Sequence, residues 1–591
     1  MAKTTADFML ERLTEWGVRN IYGYPGDGIN STLKALGKAI DRFTFVQSRH
    51  EEESAFMACA HAKWTGEPGV CLATSGPGAI HLLNGLYDAK LDHQPVVAIV
   101  GQQDRAALGG SYQQEVDLLT LFKDVAHNYV HYCHAPEQMR HLVDRAFRIA
   151  KAKRCVTAII LPDDVGSEPA VEKPPHRHGT VHSGVGYARE PRIVPEDADL
   201  REAADILNAA ERPAIMIGAG ALGADAEVRA VAERLGAGVC KALLGKAALP
   251  DDLPYVTGQM GLLGTAPSYD LMLECDAFLM VGSGFPYSEF LPEEGSARGV
   301  QIDIDPGMLS IRYPMDVNLA GDAKNTLSAL LPLLEEADRS DWRKRIEKNV
   351  TEWWQGVEKR AHLPADPVNP QLLFWECSPR LPDQAIVAAD SGTAANWYAR
   401  AIRMREGMMG SLSGTLATMC PAVPYVTAAK FTHPDRVAVA FVGDGAMQML
   451  GNAGLITIAK YWRDWTDPRC VIAVLNNEDL NQVTWEMRAM GGAPKLEETQ
   501  SVPSFDYAAY AETLGLKGIR VETPEAVAPA WDDAFAADRP VVIDCVTDPT
   551  MPALPPNITR SQRRSYFMAL MKGDPDEAAI IRNTLKSYFT G

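Results

Sequence analysis

The residues best equipped for chemistry in this chain sit in two short segments. Asp444 lies between Gly443 and Gly445 at the end of an apolar run from Val437, and Asn476-Asn477 ends a second run that begins at Cys470. Runs of this kind read as buried strands, so the pattern predicts an Asp-Gly turn and an Asn pair opening side by side at the carboxyl ends of two parallel strands. That is where α/β sheets bind ligands. A carboxylate, an amide oxygen and a nearby backbone carbonyl are hard oxygen ligands suited to Mg2+ or Ca2+, with phosphate oxygens and water completing the shell. Glycines beside Asp444 allow a diphosphate to come close to the backbone. Taken alone, a Gly-Asp-Gly turn fits two ordinary strand-to-helix connections equally well.

Far upstream, Phe43–His50 reads as a strand and Glu51–Trp64 as the helix it enters, with Glu51, Glu52 and Glu53 in the first turn. Acids there are ordinary partners of the helix dipole. The combination of Gly443-Asp444-Gly445, Asn476-Asn477 and the segment Arg49–Val70 nevertheless resembles the thiamine diphosphate-dependent 2-oxo acid enzyme family. The similarity is nearest to pyruvate oxidase and extends to acetolactate synthase. Residues 446 to 475 separate the two halves of the motif, somewhat more than the family usually shows, and the polar insert Tyr461–Arg469 accounts for the excess. Ile21–Asn30, Thr74–Gly78, Pro95–Gly101 and Tyr112–Glu115 resemble the pyrimidine-binding domain, and Asp390–Thr393 and Gly410–Met419 the diphosphate-binding domain.

The resemblance implies roles residue by residue. Glu51 would hydrogen-bond N1′ of the aminopyrimidine, which lets the cofactor remove its own C2 proton. Asp444, Asn477 and Asp479 would hold Mg2+. Pro25, Gly26, Gly392, Thr393, Ala417, Thr418, Gly445, Ala446, Leu480, Asn481, Gln482 and Val483 would line the cofactor, and Met419 would wedge it into a V shape. In pyruvate oxidases a Phe-Gln-Glu element and a Gly-Phe pair face the reacting carbon. The matching positions here are Gln113-Gln114-Glu115 and Asn481-Gln482, so a more polar pocket is expected. Either an amide meets substrate or water, or the side chains pair with the protein. Gln114 and Glu486 keep their catalytic positions, and Gln113, Gln482, Val483 and Trp485 would line the substrate pocket.

Between these domains, Ala214–Ala221 is a strand opening into a turn with Gly218 and Gly220, and Phe278–Tyr287 repeats the arrangement with Ser283, Gly284, Phe285, Pro286 and Tyr287. Asp303 ends a third strand. With Met260, Gly261, Leu262, Leu263 and Asp322 these resemble the FAD-binding domain of pyruvate oxidase. A middle domain that binds nothing is the alternative.

The expected fold class is α/β, with three doubly wound parallel-sheet domains: pyrimidine-binding over 1–185, FAD-type over 195–335 and diphosphate-binding over 365–555. A helical tail covers 556–591. A chain of 591 residues is too long for one core. The linkers are a Pro/His-rich stretch, Glu168–His182, and Leu363–Pro370. A net charge of −19 argues against nucleic acid and anionic membrane. The first residues have no signal-peptide core, and the ten cysteines are scattered without a CxxC pair, so a cytoplasmic protein with reduced thiols is expected. In the tail, Ile581, Leu585, Tyr588 and Phe589 form an amphipathic face. A membrane-surface anchor is one reading. A helix packed on its own subunit is favoured, because Asp574, Asp576 and Glu577 oppose an anionic surface.

Three functions follow from these residues. Decarboxylation of a small, pyruvate-like 2-oxo acid with electron transfer to FAD leads. A carboligase of acetolactate synthase type with non-redox FAD is the alternative, supported by Trp485-Glu486, and a non-catalytic binding protein on this fold is the third. In this family Glu51 and Asp444 come from different subunits, which implies a homodimer or homotetramer.

Overall fold

A computed structural model describes all residues except 1, 189–190, 554, 556–559 and 590–591. Eighteen strands form three sheets of six, and every pairing within them is parallel. The first holds β1 (Asn20–Gly23), β2 (Thr44–Gln47), β3 (Gly69–Ala73), β4 (Val96–Gln102), β5 (Val130–Tyr132) and β6 (Val156–Pro162), in the order β2-β1-β3-β4-β6-β5. The second holds β7 (Pro213–Ile217), β8 (Gly238–Lys241), β9 (Val256–Gln259), β10 (Ala277–Val281), β11 (Arg298–Asp303) and β12 (Val317–Ala320), in the order β12-β11-β10-β7-β8-β9. The third holds β13 (Ile386–Ala389), β14 (Met409–Ser411), β15 (Ala438–Gly443), β16 (Cys470–Asn476), β17 (Lys517–Val521) and β18 (Val541–Val546), in the order β14-β13-β15-β16-β18-β17.

Central strands such as β4, β6 and β16 are predominantly apolar and are buried along their whole length. Helices cover both faces of these parallel sheets, and neither face can be left to water. The first and third sheets share one strand order. Each reverses direction between its first strand and its third, at β1/β3 and at β13/β15. Read from β9 to β12, the middle sheet runs 3-2-1-4-5-6 and reverses between β7 and β10. Crevices for ligands open at such reversals, beyond the carboxyl ends of the strands.

The first and third domains are fused through one apolar core. The helix Glu51–Thr65 is buried on nearly every side, with Phe56, Met57, Cys59 and Trp64 inside, and lies against the helix Ala422–Thr432. Trp64 donates its indole N–H to the carbonyl of Tyr425 at 3.1 Å. Buried Lys63 reaches Asp92 at 2.7 Å and the Leu412 carbonyl at 2.6 Å, and Asp92 in turn accepts from the amides of Gly414 and Thr415. This packing fixes the amino end of the helix, where Glu51 sits. All ten cysteines are buried and unpaired. No helix among the described residues is long and apolar enough to cross a membrane.

Candidate active site

Asp444 follows β15 directly, and Gly443 is paired in register with Leu475 of β16, so the Asp turn and the Asn pair do open side by side. The Asp444 carboxylate is 3% exposed. One oxygen accepts from the backbone amides of Asn477 at 2.8 Å and Glu478 at 2.6 Å, and the other from Gly445 at 2.8 Å. Burial raises its pKa to about 6 against the pull of these donors. A cation seated here would favour the charged form. A Cβ on Gly445 would lie 2.6 Å from the Leu480 side chain and 3.5 Å from the Met419 methyl, so a larger residue would have to push Leu480 aside. The Asn477 side-chain oxygen accepts from the Asp479 amide at 3.1 Å. The Asp479 carboxylate is taken by Asn481 at 2.9 Å, Thr484 at 2.8 Å and Lys495 at 3.4 Å. What Asp479 can offer a metal is its backbone carbonyl.

Across the switch point, buried Asp390 ends β13 and accepts from the amides of Cys420 at 2.8 Å and Ala422 at 3.2 Å. Burial raises its pKa to about 7. It pins the loop that carries Ala417, Thr418 and Met419, and Ser391 adds a bond to the Thr418 carbonyl at 2.7 Å. Gly392, at φ +103°, opens the helix Thr393–Ala401 beside Asp444. Ala417, Cys420, Glu478 and, in the first domain, Gln114 hold positive φ, four of the nine such non-glycine positions among the described residues. Such outliers persist where a site over-determines the backbone. Ala446 is buried, and π-helical turns follow both motif halves, at Met447–Gly451 and Met487–Gly491.

In the first domain, Glu51 is buried at the helix start and shares a 2.9 Å contact with His81 Nδ1. The His81 ring stacks on His50 with centroids 4.4 Å apart. A Cβ on Gly78 would come within 3.1 Å of the Glu51 carboxylate. Glu52 turns toward the third domain, where Asn84 joins it at 2.7 Å to the Thr418 hydroxyl at 3.0 Å. Burial raises the pKa of Glu53 to about 7, and Glu53 meets Thr457 at 3.2 Å. Half-buried Pro25 and Gly26 lie at the β1/β3 switch, and a Cβ on Gly26 would meet Thr74 at 2.6 Å. Gln114 accepts weakly from Ser75 at 3.3 Å and Gln103 at 3.5 Å, while Gln113 is exposed. His81 and Asn84 were missed from the sequence. Their position after Thr74–Gly78 in the order of the chain is the one signal that could have found them.

The helix Asn481–Glu486 carries the remaining expected residues. Gln482 donates to Glu486 at 2.9 Å and accepts from Asn396, another residue missed from the sequence, at 2.8 Å. Asn481 spends its amide on Asp479 and the Pro549 carbonyl. Gln482 and Asn481 thus pair with protein groups rather than pointing unpartnered into the pocket, whereas Gln113 is exposed. Val483 is 48% exposed. Trp485 is 2% exposed and faces inward, with Tyr566 stacked at 6.2 Å and the Arg488 guanidinium at 5.2 Å, so the structure places it in the core behind the helix.

At the β7/β10 switch the glycines interlock. A Cβ on Gly220 would lie 2.7 Å from the Gly282 Cα, and one on Gly218 would lie 2.4 Å from the Gly282 carbonyl. Ser283 and Phe285 are buried, and Gly284, Pro286 and Tyr287 stand at the surface of the crevice. Gly261, at φ +98°, bends the loop that carries buried Met260 and half-buried Leu262 and Leu263 beneath the Phe285 ring. Asp303 ends β11 and accepts from the Asp305 amide at 2.9 Å; its pKa is raised by burial. Asp322 caps the helix Ala323–Leu330.

The tail is tied to its own chain by two of its acids. Asp574 is buried against Arg488 at 2.8 Å, Asp576 joins at 2.8 Å, and Asp574 also accepts from the Lys495 amide. These two acids are neutralised by the segment that follows the Asn481–Glu486 helix. The side chains of Leu585, Tyr588 and Phe589 lie outside the described residues.

Comparison with known proteins agrees with this geometry. Residues 3–121 match the thiamine pyrophosphate enzyme N-terminal binding domain, 200–330 the central domain and 390–545 the C-terminal binding domain. The chain is 35% identical to the putative thiamine pyrophosphate-containing protein YdaP of Bacillus subtilis, over 99% of this chain and 100% of the relative. It is 30% identical to a probable acetolactate synthase large subunit of Methanocaldococcus jannaschii, over 93% of each chain. Identity is also 30% with a pyruvate oxidase of Lactiplantibacillus plantarum, over 75% of this chain and 72% of the relative. The three domains in their order, their parallel sheets and the coverage of the relatives together make this chain a member of the thiamine pyrophosphate enzyme family.

Proposed function

We propose that the protein is a thiamine diphosphate- and Mg2+-dependent enzyme that decarboxylates a small, pyruvate-like 2-oxo acid and passes the electrons to FAD. The observation that carries the reading is the pairing of a buried, amide-held Asp444 beside Asn477 with a middle sheet in the dinucleotide order 3-2-1-4-5-6. Bound thiamine diphosphate supplies an electron sink for loss of CO2, and FAD a two-electron acceptor.

Each residue then has a task. Asp444, the Asn477 side chain and the Asp479 carbonyl are the donors suited to a hard cation that bridges to a diphosphate. The amino end of the Thr393–Ala401 helix, entered through Gly392, would offer backbone amides to a phosphate. Glu51 would hold a proton at N1′ of the aminopyrimidine, and His81, 2.9 Å away, would keep the carboxylate oriented. Gln114, Gln482 and Glu486 orient the acid, and the Gln482–Glu486 bond tunes which of them can donate. The β7/β10 crevice, with bare backbone at Gly218–Gly220 and Gly282–Gly284 and Asp303 at the end of the neighbouring strand, is suited to the flavin dinucleotide. A homodimer or homotetramer whose sites form between subunits, working in the cytoplasm, completes the proposal.

A carboligase of acetolactate synthase type would use the same cofactor residues. The burial of Trp485 against Tyr566 weakens that reading, because the Trp-Glu pair that suggested it does not present both side chains to one pocket. The test is CO2 release from pyruvate by protein stripped and reloaded with each cofactor. Release that needs thiamine diphosphate and Mg2+, with acetate rather than acetolactate as product, is expected. Acetolactate as the main product would select the carboligase, and no release from any 2-oxo acid would select a binding protein.

A further inference from the structure

The helix Thr393–Ala401 begins at the Gly392 turn beside Asp444 and ends against the middle domain. Its nine residues, rising about 1.5 Å each, span roughly 13 Å. Near its amino end Asn396 holds Gln482. At its carboxyl end two buried cations cross the domain boundary. Arg400 donates to the Gly264 carbonyl at 3.2 Å and to the Leu262 carbonyl at 3.0 Å. Lys246, on the middle-domain turn Leu243–Ala248, donates to the Ala399 carbonyl at 3.2 Å and lies over the Tyr398 ring at 5.3 Å. Asp251 clasps the segment that follows, exchanging backbone and side-chain bonds with Met404 at 2.8 Å each. The same turn seats the loop that leads to Met419, since a Cβ on Gly414 would fall 2.3 Å from Leu244.

Apolar contact would join two domains at less cost than a buried guanidinium and an ammonium that only Asp251, 3.5 Å away, partly balances. Burial lowers the pKa of Arg400 to about 9 and of Lys246 to about 8. What the cations add is direction. Cations suit the carboxyl end of a helix, and Arg400 fixes two carbonyls of the Met260–Gly264 loop, whose turn is closed by the Gly264 amide on the Gly261 carbonyl at 2.9 Å. One rigid element therefore has the diphosphate turn at one end and the Met260–Gly264 loop at the other.

We propose that Arg400 is a positioning residue that couples the two cofactor sites through this helix, so that filling the thiamine diphosphate site raises affinity at the flavin site and the reverse. The inference rests on the cofactors assigned under Proposed function. Coupling of this kind is reciprocal and commonly amounts to about 5-fold or more.

The experiment titrates FAD, by quenching of its fluorescence, into flavin-free protein with and without thiamine diphosphate and Mg2+. In the wild type the two cofactors together should lower the Kd for FAD about 5-fold or more. Arg400→Gln should lose that difference while its thiamine diphosphate affinity, measured without FAD, stays within about twofold. Arg400→Lys, which can reach one carbonyl at most, should fall between. A wild type without coupling, or full coupling in Arg400→Gln, overturns the proposal. If Arg400→Gln does not fold, undiminished coupling in Arg400→Lys does the same. A wild type that binds no FAD refutes the flavin reading instead. Hydrogen exchange over residues 261–264 then decides the coupling: slowing by thiamine diphosphate in the wild type but not in the variant supports it, and an equal response in both overturns it.

Discussion

Replacing Asp444 with Asn separates what the metal needs from what the fold tolerates. Burial raises the carboxyl pKa from 3.8 to about 6, although three backbone amides stabilise the anion. The folded-state value lies above the unfolded one. The group therefore contributes stability that is fully present below about pH 4 and is lost as pH rises through about 6. Roughly two pH units at about 1.4 kcal/mol each amount to about 3 kcal/mol lost near pH 7. An Asn oxygen keeps the bonds from Asn477 and Glu478, but its NH2 meets the Gly445 amide, a mismatch of about 1–2 kcal/mol. Metal-free Asp444→Asn should thus be about 1–2 kcal/mol more stable than the metal-free wild type near pH 7. Near pH 4.5, where the wild-type carboxyl is mostly protonated, that advantage should vanish or reverse. With Mg2+ and thiamine diphosphate at about 100 times their Kd, only the wild type gains roughly 2.7 kcal/mol, and the order at neutral pH inverts. Scanning calorimetry on both proteins, at both pH values, with and without the ligands, reads all of this. A variant less stable than the metal-free wild type near pH 7, or one stabilised as much by the ligands, would refute the reasoning.

Further expectations concern single contacts. Glu51→Gln should leave the fold intact and slow deuterium exchange at C2 of thiamine diphosphate by orders of magnitude, since an amide cannot share the N1′ proton; a wild-type rate would move the role elsewhere. Mixing Glu51→Gln with Asp444→Asn should restore part of the activity if sites form between subunits, and an active monomer in sedimentation would contradict this. Asp574→Ala leaves Arg488 buried without its bidentate partner, a loss of about 3–5 kcal/mol, and ending the chain at Lys572 should also lower stability. Vesicles that activate the full chain severalfold but not the shortened one would favour a membrane anchor. Gln482→Ala frees both Asn396 and Glu486 and should raise KM more than it lowers kcat; an effect on kcat alone would place Gln482 at the reacting carbon instead.

The sheets were legible because buried parallel strands are written as unbroken apolar runs: Cys470–Leu475 reads as a strand and becomes β16. The turns were legible because glycines flank Asp444, and because Asp and Asn mark strand ends. The strand orders were not, since register between distant strands leaves no local trace. Helical residues with one inward face were misread in direction. Trp485 lies three positions beyond Gln482, yet the short helix turns Gln482 to Asn396 and Trp485 to the core. Contacts across elements were beyond local reading altogether: His81 meets Glu51, Asn84 meets Thr418, and Asp574 meets Arg488 only once the helices pack. The same holds for the shared core of the first and third domains, where Trp64 finds Tyr425.

The most direct measurement of the central claim is the visible spectrum of the purified, reconstituted protein mixed with pyruvate in the absence of oxygen. The account predicts a flavin absorption band that bleaches on mixing, with one CO2 released per flavin reduced, and no bleaching when Mg2+ or thiamine diphosphate is left out. A flavin that stays oxidised while CO2 is released and two pyruvates are joined would contradict it.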